Sequence, residues 1–596
     1  MRTARLAGLT GPGVFSISFA LYLATLAPSI TFWDSGELVY GAFSLGLPHP
    51  PAYPLFCMIG RAFSFIPVGS VAYRVNLLSA VFGAASVYLL YRMIVRLGEA
   101  VPAREALAAT VALCFASYRP FWGVAVVTEV YTLNTFLLLV TALFLLEYDK
   151  GRRDAHLYAS AFFLGLALVN HQSTVLFLPL YAVYCFLTNH TYRRPAVLAQ
   201  SLFFFILAYS TVMYLPVRAG ASPPLDIGGP RTIHWFFWVM KWGEYAENLR
   251  GIIGNFEGIV GGAAIAAAAL AMSALVVYAM RKSGFLLLLA FSAISYFAGI
   301  RALTYGAAGI LKWGLQTKFY IPAVVFLVLA ASAAAFAMTG SARNKRAVRA
   351  GVIAASAVAL GFSLYQAAGN LKECDNGRDF FACDLAGNVL KSARQDGAIF
   401  AWGDNGVFPV WYLQGVERYR DDVLFVHTEI LTYPWYMEDV QKWLVDRYGL
   451  SYEPPALLGD LVTNVSALSG PLANRTPTYY DYSAAAQLGL KLENFKPQGL
   501  LYLAPDWRAS TEMDVWGRYV MRGAFDGSTN KAFATEGIMD IYAWDAYIWA
   551  QNAYKEGRPG ESVKAYELAK ALGLKNDSID RWMDGVKKNM RSDAPG

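Results

Sequence analysis

Stretches of about 20 mostly apolar residues recur through the first 370 residues of this chain. A helix needs roughly that length to cross the hydrocarbon of a bilayer, where its backbone polar groups must be satisfied within the segment. Such stretches fall near 6–27, 75–97, 105–121, 131–147, 157–175, 176–189, 197–215, 258–280, 284–300, 319–338 and 349–369. The first resembles a secretory signal, but it has no clean small-residue cleavage site and runs into a charged motif, so it is read as a span. The loops assign the sides. With the N-terminus in the cytoplasm, alternate connections carry Arg2/Arg5, Arg92/Arg96/Arg104, Lys150/Arg152/Arg153, Arg193/Arg194, Arg281/Lys282 and Arg343/Lys345/Arg346/Arg349. These short loops hold 16 of the 26 basic residues before residue 371, the pattern expected of cytoplasmic loops. Eleven spans then place everything after residue 370 outside.

Composition agrees. The chain is 56% hydrophobic and only 16% charged, against about 25% charged in soluble domains. The net charge of +7 hides a division: residues 1–370 carry 26 basic and 12 acidic residues, residues 371–596 carry 24 and 31. The basic residues sit in short groups between apolar runs, which argues against nucleic-acid binding. The expectation is a polytopic α-helical membrane protein of about 11 transmembrane helices, integral to the inner or plasma membrane.

After residue 370 the pattern shortens. Ala398–Trp402 and Val423–His427 read as buried strands, Asp384–Arg394 and Trp435–Tyr448 as helices, so residues 371–540 form an extracytoplasmic α/β domain. The stretch from 451 to 535 gives weak signals. Residues 541–596 turn helical, and Tyr547, Ala550, Ala553, Tyr554, Gly557, Ala565, Ala569 and Leu572 approximate one tetratricopeptide helix pair. One unit cannot bury its own face, so a helical cap is favoured over a peptide-binding repeat. Asn464-Val-Ser, Asn474-Arg-Thr and Asn576-Asp-Ser are glycosylation triplets on the outer side. Of the five cysteines, Cys114 and Cys185 read as packing residues, while Cys374 and Cys383 lie where a disulfide is chemically permitted and left open.

Polar groups gather at the outer ends of the spans, where charge is costly and points to function. Asp34 and Glu37, in Thr31-Phe-Trp-Asp-Ser-Gly-Glu37, share a face if the segment is helical. They read equally as a reactive carboxylate pair and as a helix cap. His49 sits in the proline-dense loop Leu47-Pro-His-Pro-Pro-Ala-Tyr-Pro54, followed by Arg61 and Arg74 on the outer side. Each arginine alone fits a lipid-headgroup anchor or a phosphate ligand. Glu129, His171, Arg301, Lys312 and Lys318 occupy further outer ends. This convergence suits an anionic lipid-linked substrate better than a transport path, which would place charge near midplane. No phosphate-cradling glycine loop, zinc-type His/Cys spacing or nucleophile elbow is present.

The motifs that carry these groups resemble a known family. Phe32-Trp-Asp-Ser-Gly-Glu37, His49-Pro-Pro and Arg74-Val-Asn-Leu-Leu-Ser79 look like the N-terminal signature of a polytopic family that includes the animal protein O-mannosyltransferases acting on plexin-type receptor domains. Thr128-Glu-Val-Tyr131 and Gly165-Leu-Ala-Leu-Val-Asn-His171 resemble its next motifs. Gly403-Asp-Asn-Gly-Val-Phe-Pro-Val-Trp-Tyr-Leu-Gln414, Tyr419-Arg-Asp-Asp-Val423 and Pro434-Trp-Tyr436 continue the similarity. Two positions depart from the pattern: Gly406 stands where the family has Asp, and Ala52 where it has Gly. The first favours a folding role for the outer block over direct catalysis.

The resemblance implies a GT-C architecture and an inverting glycosyltransferase using a polyprenyl-phosphate sugar, mannose in the animal members. It implies Asp34 as general base with Glu37 beside it, and Arg74, Arg301 and His49 toward the donor phosphate. Glu129 and His171 are then left for sugar or acceptor. No cofactor is required by this scheme, although an Asp/Glu pair beside phosphate could hold a divalent metal. The acceptor is a protein hydroxyl; a lipid or cell-wall glycan is the alternative within the class. A non-enzymatic lipid-linked-glycan transporter or scaffold is the alternative outside it.

Overall fold

The computed structural model describes residues 2–188, 191–241, 284–303, 317–340, 343–450, 460–505, 514–523 and 533–592. The chain divides into two compact units: Met1–Ala27 with Gly41–Gly377, and Pro28–Tyr40 with Arg378–Gly596.

The first unit is helical. Among the described residues, five helices are long and apolar enough to cross a membrane: Val71–Leu97, Tyr131–Gly151, Pro195–Gly220, Thr317–Thr339 and Lys345–Cys374. Shorter helices coincide with other expected spans, and residues 258–280 lie outside the described residues. Two expected spans are broken. Residues 105–121 divide into Arg104–Ala116 and Arg119–Ala125, because Pro120 starts a helix better than it continues one. Residues 172–188 pass through 3₁₀, α and π geometry in turn, around Pro179.

Val71–Leu97 is the central helix, packing on Arg2–Ala24, Arg104–Ala116 and Tyr131–Gly151. The Ser70 side chain caps it, accepting from the Tyr73 N–H at 3.1 Å. Its buried face runs Ala72, Val75, Asn76, Ser79, Ala80, Gly83, Ala84 and Val87. Small residues at this spacing let neighbouring backbones approach closely and leave room for side-chain hydrogen bonds between helices.

The second unit is built on a five-stranded sheet, β1 (Ala398–Ala401), β2 (Leu424–His427), β3 (Thr478–Asp481), β4 (Lys496–Gln498) and β5 (Leu501–Leu503). Their order is β2-β1-β3-β5-β4, with β1 parallel to β2 and β3, and β3–β5–β4 antiparallel. β1 and β2 are fully buried and, apart from His427 at the end of β2, apolar, which is why they stand out in the sequence. β3–β5 are short and mixed, and Gly499 at φ +63° turns β4 into β5. Arg420 locks the β2 approach: its guanidinium grips both oxygens of Asp422 at 2.7 and 2.8 Å and donates to the carbonyls of Leu390, Ala393 and Arg394. These bonds hold the Asp422 carboxyl below its ordinary range. Helices Phe533–Lys555, Pro559–Ala571 and Asp577–Ser592 close the unit, burying Ala550, Ala553, Ala565, Ala569 and Leu572.

One expectation needs correction here, and one open question closes. Asn464 lies within the helix Leu461–Ala473, is 3% exposed and donates to the Leu431 carbonyl at 3.2 Å, so its triplet does not present an acceptor amide to solvent. All five cysteines are free thiols; Cys374 ends the helix Lys345–Cys374 and points at the Arg119 carbonyl.

Candidate functional site

Three separate stretches of the first unit meet around Glu129. Asn76 on the central helix donates to the Ala27 carbonyl at 2.8 Å and accepts from the Thr128 hydroxyl at 2.6 Å. One turn later, the Ser79 hydroxyl meets both the carbonyl and the N–H of Glu129. From the next motif, Asn170 donates to the Val130 carbonyl at 3.2 Å. The turn carrying Glu129 is thus fastened by buried side chains of two other motifs. The Glu129 carboxylate, itself buried, pairs with Lys318.

Aromatic rings line the same place. Tyr131 lies 5.2 Å from His171 and 5.7 Å from Phe319, His171 is 5.4 Å from Phe319, and Lys318 sits 5.9 Å from the Tyr131 ring. The ring of Tyr53 stacks on His171 at 6.2 Å, and its hydroxyl is 3.0 Å from Nε2 of His49. His171 Nδ1 accepts the Ser173 N–H, so the neutral ring carries its proton on Nε2. His49, Glu129 and His171 are therefore brought into one cluster. Such a surface can stack on the apolar face of a sugar and exchange hydrogen bonds with its hydroxyls.

The proline loop is held from a segment that the sequence left without a role. Leu47 exchanges backbone bonds with Leu225 and Ile227, both 2.8 Å, and Asp226 is anchored by Arg231 at 2.8 Å. Ala52 and Tyr53 take φ of +66° and +42° to turn the chain into helix Pro54–Ser64.

The arginines are placed differently. Arg74 donates to the carbonyls of Ser64, Val68 and Gly69 at 2.9–3.0 Å, clasping the preceding turn with three of its five N–H groups. Arg61 donates to the Phe43 carbonyl and lies over Phe65 at 4.6 Å. Arg301 lies in helix Gly284–Leu303, its side chain outside what the structure describes, and Lys312 lies outside the described residues.

Asp34 and Glu37 belong to the second unit. The helix Ser35–Ser44 begins directly after Asp34, whose carbonyl accepts the Leu38 N–H at 2.9 Å. Asp34 therefore holds the N-cap position and Glu37 the third helical one, the spacing of a capping box. Asp34 is half-buried and Glu37 fully buried. Among the described residues, no three His, Cys, Asp or Glu side chains gather as metal ligands would.

Fold and site together define a helical membrane protein with a buried polar cluster and a small sheet unit. The N-terminal domain of the protein O-mannosyl-transferase TMEM260 matches residues 34–194, and the TMEM260-associated domain 2 matches residues 382–450. The mouse protein O-mannosyl-transferase TMEM260 is 28% identical over 458 residues, covering 72% of this chain and 64% of that protein. A Dictyostelium discoideum protein of the same name is 38% identical over 74 residues, 12% of this chain and 9% of that protein. Both TMEM260 domains are matched in order along the chain, which is similar to these proteins in two separate regions and spans about two thirds of the mouse protein's length.

Sequence reasoning found Glu129, His49 and His171. It placed Lys318 at the same outer end without pairing it to Glu129, and it did not bring forward Tyr53, Asn76 or Ser79 as parts of the cluster. Asn76 and Ser79 were visible as polar residues on an otherwise apolar helix, spaced for one face. Tyr53 gave no such signal.

Proposed function

We propose that this chain is an inverting membrane glycosyltransferase. It moves a sugar, mannose by the family's name, from a polyprenyl-phosphate donor to the hydroxyl of a protein Ser or Thr at the extracytoplasmic face. The approximately 11-span topology and the tetratricopeptide-like closing helices belong to the same reading. The observation that carries it is the gathering of Glu129, His49 and His171 from three family motifs into one aromatic-lined cluster.

In this scheme Asp34 takes the proton of the acceptor hydroxyl as the oxygen attacks the sugar C1 from the face opposite the phosphate. The C1–O bond to the acceptor forms while the C1–O bond to phosphate breaks, its electron pair leaving with the polyprenyl phosphate. A placed base contributes about 10²–10⁴-fold. Glu37 orients the acceptor or tunes Asp34. Arg74, through N–H groups beyond its turn clasp, acts with Arg301 and His49 on the developing phosphate charge, the electrostatic role that usually dominates. Glu129 and His171 bind sugar or acceptor. The scheme requires no metal.

The test is transfer by purified wild type and Asp34→Asn supplied with polyprenyl-phosphate-mannose and a hydroxyl-bearing acceptor peptide. Asp34→Asn is expected to lose transfer about 10²-fold or more; undiminished transfer removes Asp34 from the base role.

A further inference from the structure

The outer block beginning at Gly403 lies 370 residues from the acidic motif, yet in the sheet unit the two interlock. The Trp33 N–H donates to Oδ1 of Asn405 at 2.8 Å. Trp33 itself is held at φ +66°, a conformation L-residues avoid, immediately before Asp34. Two residues after Asp34, Gly36 lies so close to the helix Asp404–Gly415 that a Cβ there would come within 2.5 Å of the Phe408 carbonyl oxygen. Phe32 packs edge-on against Phe381 at 5.8 Å. The motif is therefore gripped on both sides of Asp34, by a side-chain hydrogen bond before it and by backbone contact after it.

We propose that Asn405 is a positioning residue for the acidic motif: by accepting the Trp33 N–H it sets the turn from which the Asp34 and Glu37 carboxylates are presented. The inference rests on the reading of Asp34 as the reactive base and extends it to the outer block. Displacing a reacting group by about 1 Å can cost on the order of 10²-fold in rate.

The experiment compares Asn405→Ala and Asn405→Asp in the full-length protein, with hydrogen exchange at the Trp33 amide and steady-state transfer from polyprenyl-phosphate-mannose. Asp retains an acceptor oxygen at the same place; Ala does not. Asn405→Ala is expected to speed exchange at Trp33 at least tenfold and to lower kcat on the order of 10²-fold with donor KM within about twofold. Asn405→Asp restores both toward wild type. Adding Asn405→Ala to Asp34→Asn should cause no further loss, because the positioned group is already gone. Unchanged exchange at Trp33 in Asn405→Ala, or an equal further loss in the Asp34→Asn background, overturns the proposal. Full transfer by Asp34→Asn alone defeats the base reading instead, and the clasp then stands or falls on the exchange data. Gly36→Ala gives an independent variant: its Cβ pushes the motif from the other side and should also lower kcat without raising donor KM.

Discussion

Asp545 makes the stability of the sheet unit depend on pH in an unusual direction. It lies 1% exposed on helix Phe533–Lys555, accepts the Tyr502 hydroxyl on Oδ1, and its Oδ2 has no partner among the described residues. Burial pushes its carboxyl up to about 8, with Asp481 adding repulsion. A folded-state value above the unfolded one means the folded state holds a proton that the unfolded state has released. The stabilisation is fully present below about pH 4 and is lost as pH rises through the window to about 8. Each unit is about 1.4 kcal/mol, so the whole window amounts to on the order of 5 kcal/mol. That is comparable to the total stability of an ordinary domain, about 5–15 kcal/mol. Asp545→Asn keeps the shape and the acceptor for Tyr502 but cannot ionise. Urea unfolding of the full chain in detergent, read by pulse proteolysis within residues 378–596, should show wild type less stable at pH 8 than at pH 5. Asp545→Asn should match wild type at pH 5 and exceed it at pH 8. Equal wild-type stability at the two pH values, or an unchanged slope in the variant, refutes the reasoning. Asp481, half-buried at the end of β3 and pushed up to about 7 by burial of its carboxyl, adds a smaller slope of the same sign that the variant retains.

Three other substitutions test separate parts of the structure. Asn76→Leu leaves the Ala27 carbonyl and the Thr128 hydroxyl without their buried partner and should cost about 2–4 kcal/mol; thermal unfolding measures it, and transfer should fall with it as the Glu129 turn loosens. Arg420→Lys exchanges a fork making five bonds for a point charge and should cost the sheet unit about 2–3 kcal/mol by urea unfolding. Ala52→Gly should fall within about 1 kcal/mol of wild type, because relief at φ +66° offsets a lost buried methyl. Ala52→Val, β-branched in the same left-handed position, should be clearly worse in a thermal shift assay.

The long apolar helices were legible because a bilayer imposes a coarse rule of about 20 apolar residues per crossing. Strands β1 and β2 were legible because both are short, buried and apolar but for the closing His427, and helix Pro434–Tyr448 because it repeats at helical spacing. Residues 478–503 were not, because three strands of three or four mixed residues carry too little pattern to separate strand from loop. The breaks near Tyr118 and through residues 172–188 were missed for a related reason: hydropathy registers apolarity and does not register whether a proline starts a helix or ends one.

The amino-acid order alone determined that this is a chain of long apolar helices followed by a separate mixed portion, since both follow from local composition and spacing. Only the tertiary structure decided which motifs serve which. It tied Asn76 and Ser79 to Glu129, set Tyr53 between two histidines, and gave residues 28–40 to the sheet unit through Asn405. Those pairings join residues tens to hundreds of positions apart through single hydrogen bonds and ring contacts. Such contacts leave no periodicity in a sequence, because their energy depends on distance and direction in space alone.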